Sequence, residues 1–210
     1  MRIIDISMPI RQDMPTYKER PEKAPLHTWA ARLPGDSVNE SVYTINVHTG
    51  THLDAPLHMT AGDASVDTAL PLERLITKAR VFDLTHIEEA IEEKDLRDLG
   101  IEAGEFVLLK TANSYDPRSG GASFVYLRES GARYLAEKMI SGVGIDALGI
   151  ERDQPGHLSH HPLMDKGIII LEGLILKDAP AGSYTLIALP LKLEGAEGAP
   201  ARAVLVEGLM

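Results

Sequence analysis

The stretch HTGTHLDAPLH, from His48 to His58, places three histidines and one aspartate within eleven residues. All four are metal-ligand types, interleaved with Gly50 and Pro56, and no other segment concentrates reactive side chains in this way. The chemistry such a composition points to is binding of a divalent metal by imidazole nitrogen and carboxylate oxygen. An α-helix would put Asp54 on a different face from His48 and His52, and Pro56 would break its hydrogen-bond ladder. An extended strand points positions 48, 50, 52 and 54 to one side. It also sets His48 and His52 about 13 Å apart, at roughly 3.3 Å per residue. Two nitrogens on one zinc, each at about 2.1 Å, lie no more than about 4 Å from each other. The chain must therefore bend between the two histidines. Gly50 permits a bend or bulge at low steric cost, and Pro56 delivers His58 from another direction.

Several site types fit these residues. The helical zincin pattern H-E-x-x-H is absent. His52-Leu53-Asp54 supplies the H-x-D pair of a two-histidine, one-carboxylate iron site, which leaves His48 and His58 unexplained. A carboxylate among several histidines also bridges two metals, the histidines being divided between them. A polar, histidine-rich turn without metal is the remaining reading. Further along, Glu172 stands inside the apolar run IIILEGLIL. It either faces water at a strand end or is buried with a partner, because a buried unpaired carboxylate costs several kcal/mol or takes up a proton. His160 and His161 are adjacent, before Pro162. On a locally extended chain they point oppositely, so only one is expected to face a metal. Asp146, near a strand end, is a candidate to orient a metal-bound histidine. His27, His86 and His157 are assigned surface or capping roles.

The elements that must position these groups can be read in order. Residues 2–7 form a short strand. Residues 12–40, with four prolines, form a long excursion of the kind that often carries binding loops. Val42–Val47 alternates as a strand leading into the histidine motif. Leu70–Ile76 holds a helical turn, and Ala79–Leu84 is a strand. Thr85-x-x-Glu88 reads as a capping box opening a helix to about Leu99, closed by Gly100. Phe106–Leu109 is an apolar strand, Thr111–Gly121 has the composition of a variable loop, and 128–141 has amphipathic helix spacing. Val143–Ala147, Ile168–Leu176, Tyr184–Leu189 and Ala203–Glu207 are strands, with 150–161 a polar loop. Strand-rich with two clear helices and no internal repeat, the chain reads as one α/β or α+β domain over residues 1–210.

Composition bounds the function. The 210 residues, 44% hydrophobic and 25% charged, are those of an ordinary globular protein. A net charge of −10 argues against nucleic acid or an anionic membrane as main partner. The chain has no cysteine, hence neither disulfides nor thiol chemistry. No signal peptide or spanning stretch is visible, so a cytoplasmic location is the expectation.

The motif HTGTHLDAPLH resembles the signature of the cyclase-like metal-dependent hydrolases, the family of the bacterial kynurenine formamidases. The resemblance extends over nearly the whole length: Ile3-Ile4-Asp5-Ile6-Ser7 is similar to the family's first strand. The stretch from His160-His161 through ILEGLIL, Gly182-Ser183-Tyr184, LIALPLKL and Pro200-Ala201-Arg202-Ala203 is similar to its C-terminal half. The resemblance implies a swivelling β/β/α fold of the α/β class with a central barrel-like β layer, commonly assembled as a homo-oligomer. It implies that His48, His52 and Asp54 bind a first metal, and that Asp54 and Glu172 bridge to a second, also held by His160. His58 is implied as the catalytic proton donor and acceptor, and His161 is left to support a ligand from behind, to face the substrate or for no role. Zinc is the first expectation for the two divalent ions, with manganese second.

The implied reaction is hydrolysis of the C–N bond of a small-molecule amide or formamide. Metal binding lowers the pKa of water from 15.7 towards about 7, and a histidine with a pKa near 6.5 suits protonation of the leaving amine. Kynurenine formamidases typically carry a Trp-Pro-Gly-Asp-like stretch in the first loop. Here that region reads Met14-Pro15-Thr16-Tyr17-Lys18-Glu19-Arg20-Pro21, with Tyr17 the candidate aromatic wall for substrate. N-formylkynurenine is thus the first test substrate, with isatin-like lactams the alternative. An iron-dependent oxygenase and a metal-stabilised binding protein without turnover are the competing classes.

Overall fold

In the computed structural model, residues 1–116, 123–152 and 154–209 are described. The elements, in chain order, are β1 (Ile3–Asp5), β2 (Leu26–Ala31), β3 (Glu40–Thr44), β4 (His52–Asp54), α1 (Val66–Ala69), β5 (Ile76–Asp83), β6 (Ala90–Ile91) and α2 (Glu93–Leu96). They continue with β7 (Phe106–Lys110), β8 (Tyr126–Leu127), α3 (Glu129–Glu137), β9 (Gly142–Ile145), α4 (His160–Met164), β10 (Ile169–Glu172), β11 (Gly182–Pro190) and β12 (Gly198–Val206).

Seven strands close into a barrel in the order β12-β11-β5-β7-β9-β10-β4, with β4 returning to β12. The steps β5–β7, β7–β9 and β9–β10 are parallel, and the others antiparallel. Strand β12 is long enough to hold two partners on one side: β4 along Gly198–Pro200 and β1 along Val204–Val206. Period-2 alternation then sorts side chains into two layers. Phe106 and Leu108 of β7 join Leu53, Leu171, Leu186 and Leu205 in one buried cluster. Val107 and Leu109 face the other way and pack with Ile145, Ile170 and the buried face of α3, Ala132, Leu135 and Ala136. All five residues of β7 are buried, because both of its faces are covered. Gly142 on β9 makes this packing possible: a Cβ there would lie 2.2 Å from the Phe106 ring.

The fold is α/β with a central barrel, as the resemblance implied, and most strands lie where the sequence places them. The helix expected from Thr85 to Leu99 does not form as one piece. The Thr85 amide and hydroxyl both donate to Asp83, turning the chain. Residues 90–91 instead pair in parallel with β8. Helix begins only at Glu93, where Asp95 caps the Glu92 amide at 2.8 Å, and Gly100 closes it at φ 61° as expected. The excursion 12–40 contains two 3-10 turns and β2, which pairs with β3 as a separate two-stranded ribbon. The strand expected at Val42–Val47 sits earlier, because Asn46 turns the chain by accepting the His48 amide at 2.9 Å. Residues 150–161 are not wholly loop, since His160 and His161 open α4. Of the expected loop Thr111–Gly121, residues 112–115 form a 3-10 turn and 117–121 lie outside the described residues. Among the described residues no helix is long and apolar enough to cross a membrane.

Candidate metal centre and active site

The site forms where β4 meets β10. Alternation on β4 sends Leu53 into the barrel cluster and His52 and Asp54 to the opposite face. On β10 the same rule turns Leu171 inward and Glu172 outward, and the register sets Glu172 directly across from His52. The bend expected at Gly50 is present at φ +64°. It carries His48 back over the strand, so that the His48 and His52 rings lie 5.0 Å apart between centroids. Gly173, at φ +68°, lets β10 end against this bend: a Cβ there would lie 2.1 Å from the Gly50 carbonyl oxygen. Thr51 ties this junction to the segment after β1. Its hydroxyl donates to the Gly173 carbonyl at 2.6 Å and accepts the Met8 amide at 2.7 Å. Pro56 starts the 3-10 turn that ends at His58.

The structure thus brings His48, His52, Asp54, His160 and Glu172 together. Asp54 Oδ1 lies 3.0 Å from His48 Nδ1 and 3.4 Å from His52 Nε2, and Asp54 Oδ2 lies 3.5 Å from His160 Nε2. Glu172 lies 3.3 Å from His52 Nε2 through one oxygen and 3.6 Å from His160 Nε2 through the other. Glu172 Oε1 also accepts the Ile150 amide at 2.5 Å. His58 sits between the two sides of the cluster, its ring centroid 4.2 Å from that of His48 and 5.9 Å from that of His160, tilted to both. It offers a nitrogen to the same group of donors as His48 and Asp54. Asp54 and Glu172 are nearly fully buried.

Electrostatics at this cluster are those of a cation site. Burial alone would raise both carboxyls and lower the histidines. Contacts with the histidines instead hold Asp54 well below the usual carboxylate range, and Glu172 is also lowered. Against burial, Asp54 and Glu172 push His52 up to about 10, and His160 is raised as well. The carboxylates therefore recruit positive charge into a buried space, which protonated histidine supplies when no metal is bound. His52 Nε2 and Asp54 Oδ1 remain buried without an aligned hydrogen-bond partner. Unpaired buried donors and acceptors are costly, and a divalent cation between them satisfies both. The residues present fit such an ion. Burial lowers His58 below the ordinary histidine value.

A cavity of about 290 Å³ opens onto the cluster. Its walls include Met14, Tyr17 and Met59, with Lys23 the basic side chain among the lining residues. Tyr17 stands in the wall, 6.2 Å from the Phe124 ring. His161 is not among the lining residues: it follows His160 on a helical turn rather than on extended chain. Asp146 does not reach a histidine. It is buried and accepts from the amides and hydroxyls of Thr111 and Ser114, joining the ends of β7 and β9. His157, expected at the surface, is exposed yet lines the cavity and bonds Glu151 at 2.6 Å. Two carboxylates were missed. Glu151 contacts His160, and Glu197 lies 3.6 Å from His48 Nε2. No local sequence pattern marks either one: the turn through Gly156 that returns His157 and His160 to Glu151 is visible only in the fold.

The model of the Cyclase family, described as "Putative cyclase", matches residues 4–152. The kynurenine formamidase of Salinibacter ruber is 38% identical over 85% of this chain and 85% of its own. That of Bacillus mycoides is 35% identical over 96% of each chain. A solved structure described as "predicted metal-dependent hydrolase from Bacillus stearothermophilus" is 47% identical, with a TM-score of 0.87 over 97% of each chain. Isatin hydrolase A from Labrenzia aggregata, 24% identical with a TM-score of 0.83 over 98% of this chain and 93% of its own, shares the fold. Barrel and cluster together define an α/β protein with a carboxylate–histidine centre suited to a divalent cation. Within that class, the chain belongs to the Cyclase family.

Proposed function

We propose that this chain is a metal-dependent hydrolase of the C–N bond of a small-molecule amide, of the arylformamidase type. The observation that carries the reading is the convergence of Asp54, Glu172 and three histidines at the floor of a partly apolar cavity, with His58 beside them. His48, His52 and Asp54 would hold one divalent ion, and Asp54, Glu172 and His160 a second. Zinc is the first choice and manganese the second for this donor set. Bound there, such ions supply Lewis-acid charge that polarises a carbonyl and acidifies water.

The chain's own groups do the rest. Met14, Tyr17 and Met59 exclude water from around an aromatic amide. His58 takes a proton from the attacking water and returns it to the departing nitrogen, so that formamide and water leave as formate and amine. N-formylkynurenine is the first substrate to try, which would place the activity in tryptophan breakdown; isatin-like lactams come next. The test is metal content by mass spectrometry together with N-formylkynurenine hydrolysis before and after chelation. About two ions per chain and chelator-sensitive hydrolysis support the reading. Absence of metal, with no activity on adding it, removes it.

The same reading treats residues 1–210 as one catalytic unit working in the cytoplasm as a homo-oligomer. Support for assembly comes from the β2–β3 ribbon. Leu26, Trp29, Val42 and Tyr43 are all about half exposed on it, and an isolated two-stranded ribbon is marginally stable alone. Its ends lead into Tyr17 and His48, so a second copy covering the ribbon would border the cavity.

A further inference from the structure

Glu151 is 3% exposed, and its charge is committed entirely to groups around the cavity. Oε1 lies 2.6 Å from His157 Nδ1 and 3.2 Å from His160 Nδ1, while Oε2 accepts the Ser159 amide at 3.0 Å. The His160 Nδ1 atom is buried without an aligned hydrogen-bond partner, and Glu151 Oε1, at 3.2 Å, is the carboxylate oxygen beside it. Its other ring nitrogen, Nε2, faces Asp54 and Glu172. His157 holds a left-handed backbone, φ +48°, directly after Gly156 at φ +83°. A non-glycine residue in that region persists when its surroundings fix it, and here they include the Glu151 contact together with backbone hydrogen bonds from the His157 amide to Gln154 and from the His161 amide to the His157 carbonyl. The His157 and His160 rings lie 6.0 Å apart, edge to face, in the same cavity wall.

We propose that Glu151 is a positioning residue that fixes the Nδ1–H form of both histidines. It thereby aims His160 Nε2 at the Asp54–Glu172 cluster and leaves His157 Nε2 as a bare acceptor facing the substrate. The proposal rests on reading that cluster as the metal centre. Metal-bound histidines commonly donate their second N–H to a carboxylate, and loss of that partner weakens metal binding by roughly 10–100-fold. The distinctive feature is sharing: one carboxylate oxygen serves a histidine at the metal and a histidine at the cavity. His157 is thus a hydrogen-bond acceptor for an N–H or O–H group of the substrate. Neutral imidazole otherwise favours the Nε2–H form, so the assigned form is diagnostic.

The test uses the full chain loaded with zinc. Zinc affinity is measured by competition with a chelator, and ring 15N spectra are recorded at about pH 8, above the ordinary histidine pKa. In the parent protein His157 is expected as the Nδ1–H form. Glu151→Ala is expected to weaken zinc roughly 10–100-fold and to convert His157 to the Nε2–H form. Glu151→Gln, which keeps the size and one acceptor oxygen, falls between and guards against loss of fold. Unchanged zinc affinity in both Glu151 variants, or a His157 already in the Nε2–H form in the parent, overturns the proposal. No arm involves substrate turnover, so failure here is distinct from failure of the amidase reading.

Discussion

His58 and Asp54 sit within the same few ångströms, and their roles should separate cleanly on substitution. Asp54 offers oxygens to His48, His52 and His160 at once, so Asp54→Ala should lose both metal and turnover. His58→Ala should retain metal while losing about 10²–10⁴-fold in rate, the usual contribution of a positioned acid–base group. Metal content and rate read on the same preparations decide it, and full activity in the His58 variant removes that assignment. At this scale the sequence was informative where ligand types crowd together, as in HTGTHLDAPLH, or where a carboxylate interrupts an apolar run, as Glu172 does. It was silent on Glu151 and Glu197. Each is one acidic residue among many in polar surroundings, and neither has a local pattern that reveals the histidine it meets across a turn or from another strand.

Two backbone junctions hold the elements that carry the donors. Gly173→Ala places a methyl group 2.1 Å from the Gly50 carbonyl oxygen and strains a left-handed backbone. It should cost about 3 kcal/mol or more, measured by urea unfolding of metal-free protein. Thr51→Val keeps the shape but strands the Met8 amide and the Gly173 carbonyl, each buried. Unsatisfied buried groups cost about 1–3 kcal/mol apiece, so a loss of about 2–5 kcal/mol is expected. A loss below about 1 kcal/mol would show that water reaches both groups. Strands were legible from alternation and apolar runs because burial dictates both. The helix expected at Thr85–Leu99 failed because capping residues alone do not supply an apolar stripe. Leu96 is the only buried residue of α2, and Asp83 captures Thr85 first.

For the whole molecule, metal binding and folding are linked. An ion present at about 100 times its dissociation constant adds about 2.7 kcal/mol, which for a chain of this size moves Tm by about 5–10 °C. Chelator-treated protein should melt lower by that amount and recover on adding zinc; an unchanged Tm would mean that the cluster binds no ion under those conditions. Trp29→Glu with Tyr43→Glu on the ribbon should reduce the assembly to monomers by light scattering, with the circular dichroism of the barrel kept. A single-chain mass in the parent would instead remove the assembly reading. Barrel closure itself was known only through resemblance. No local pattern announces that β4 will pair with both β10 and β12, since register between distant segments is set by packing rather than by either strand alone.

That closure has a consequence in time. His48 to His58 leaves the ribosome before β10 and β12, the partners of β4, have been made. At about 5–20 residues per second, the motif waits on the order of ten seconds with neither neighbour made. The donor set is therefore completed only once β10 has been made, and an ion acquired earlier meets histidines without Glu172.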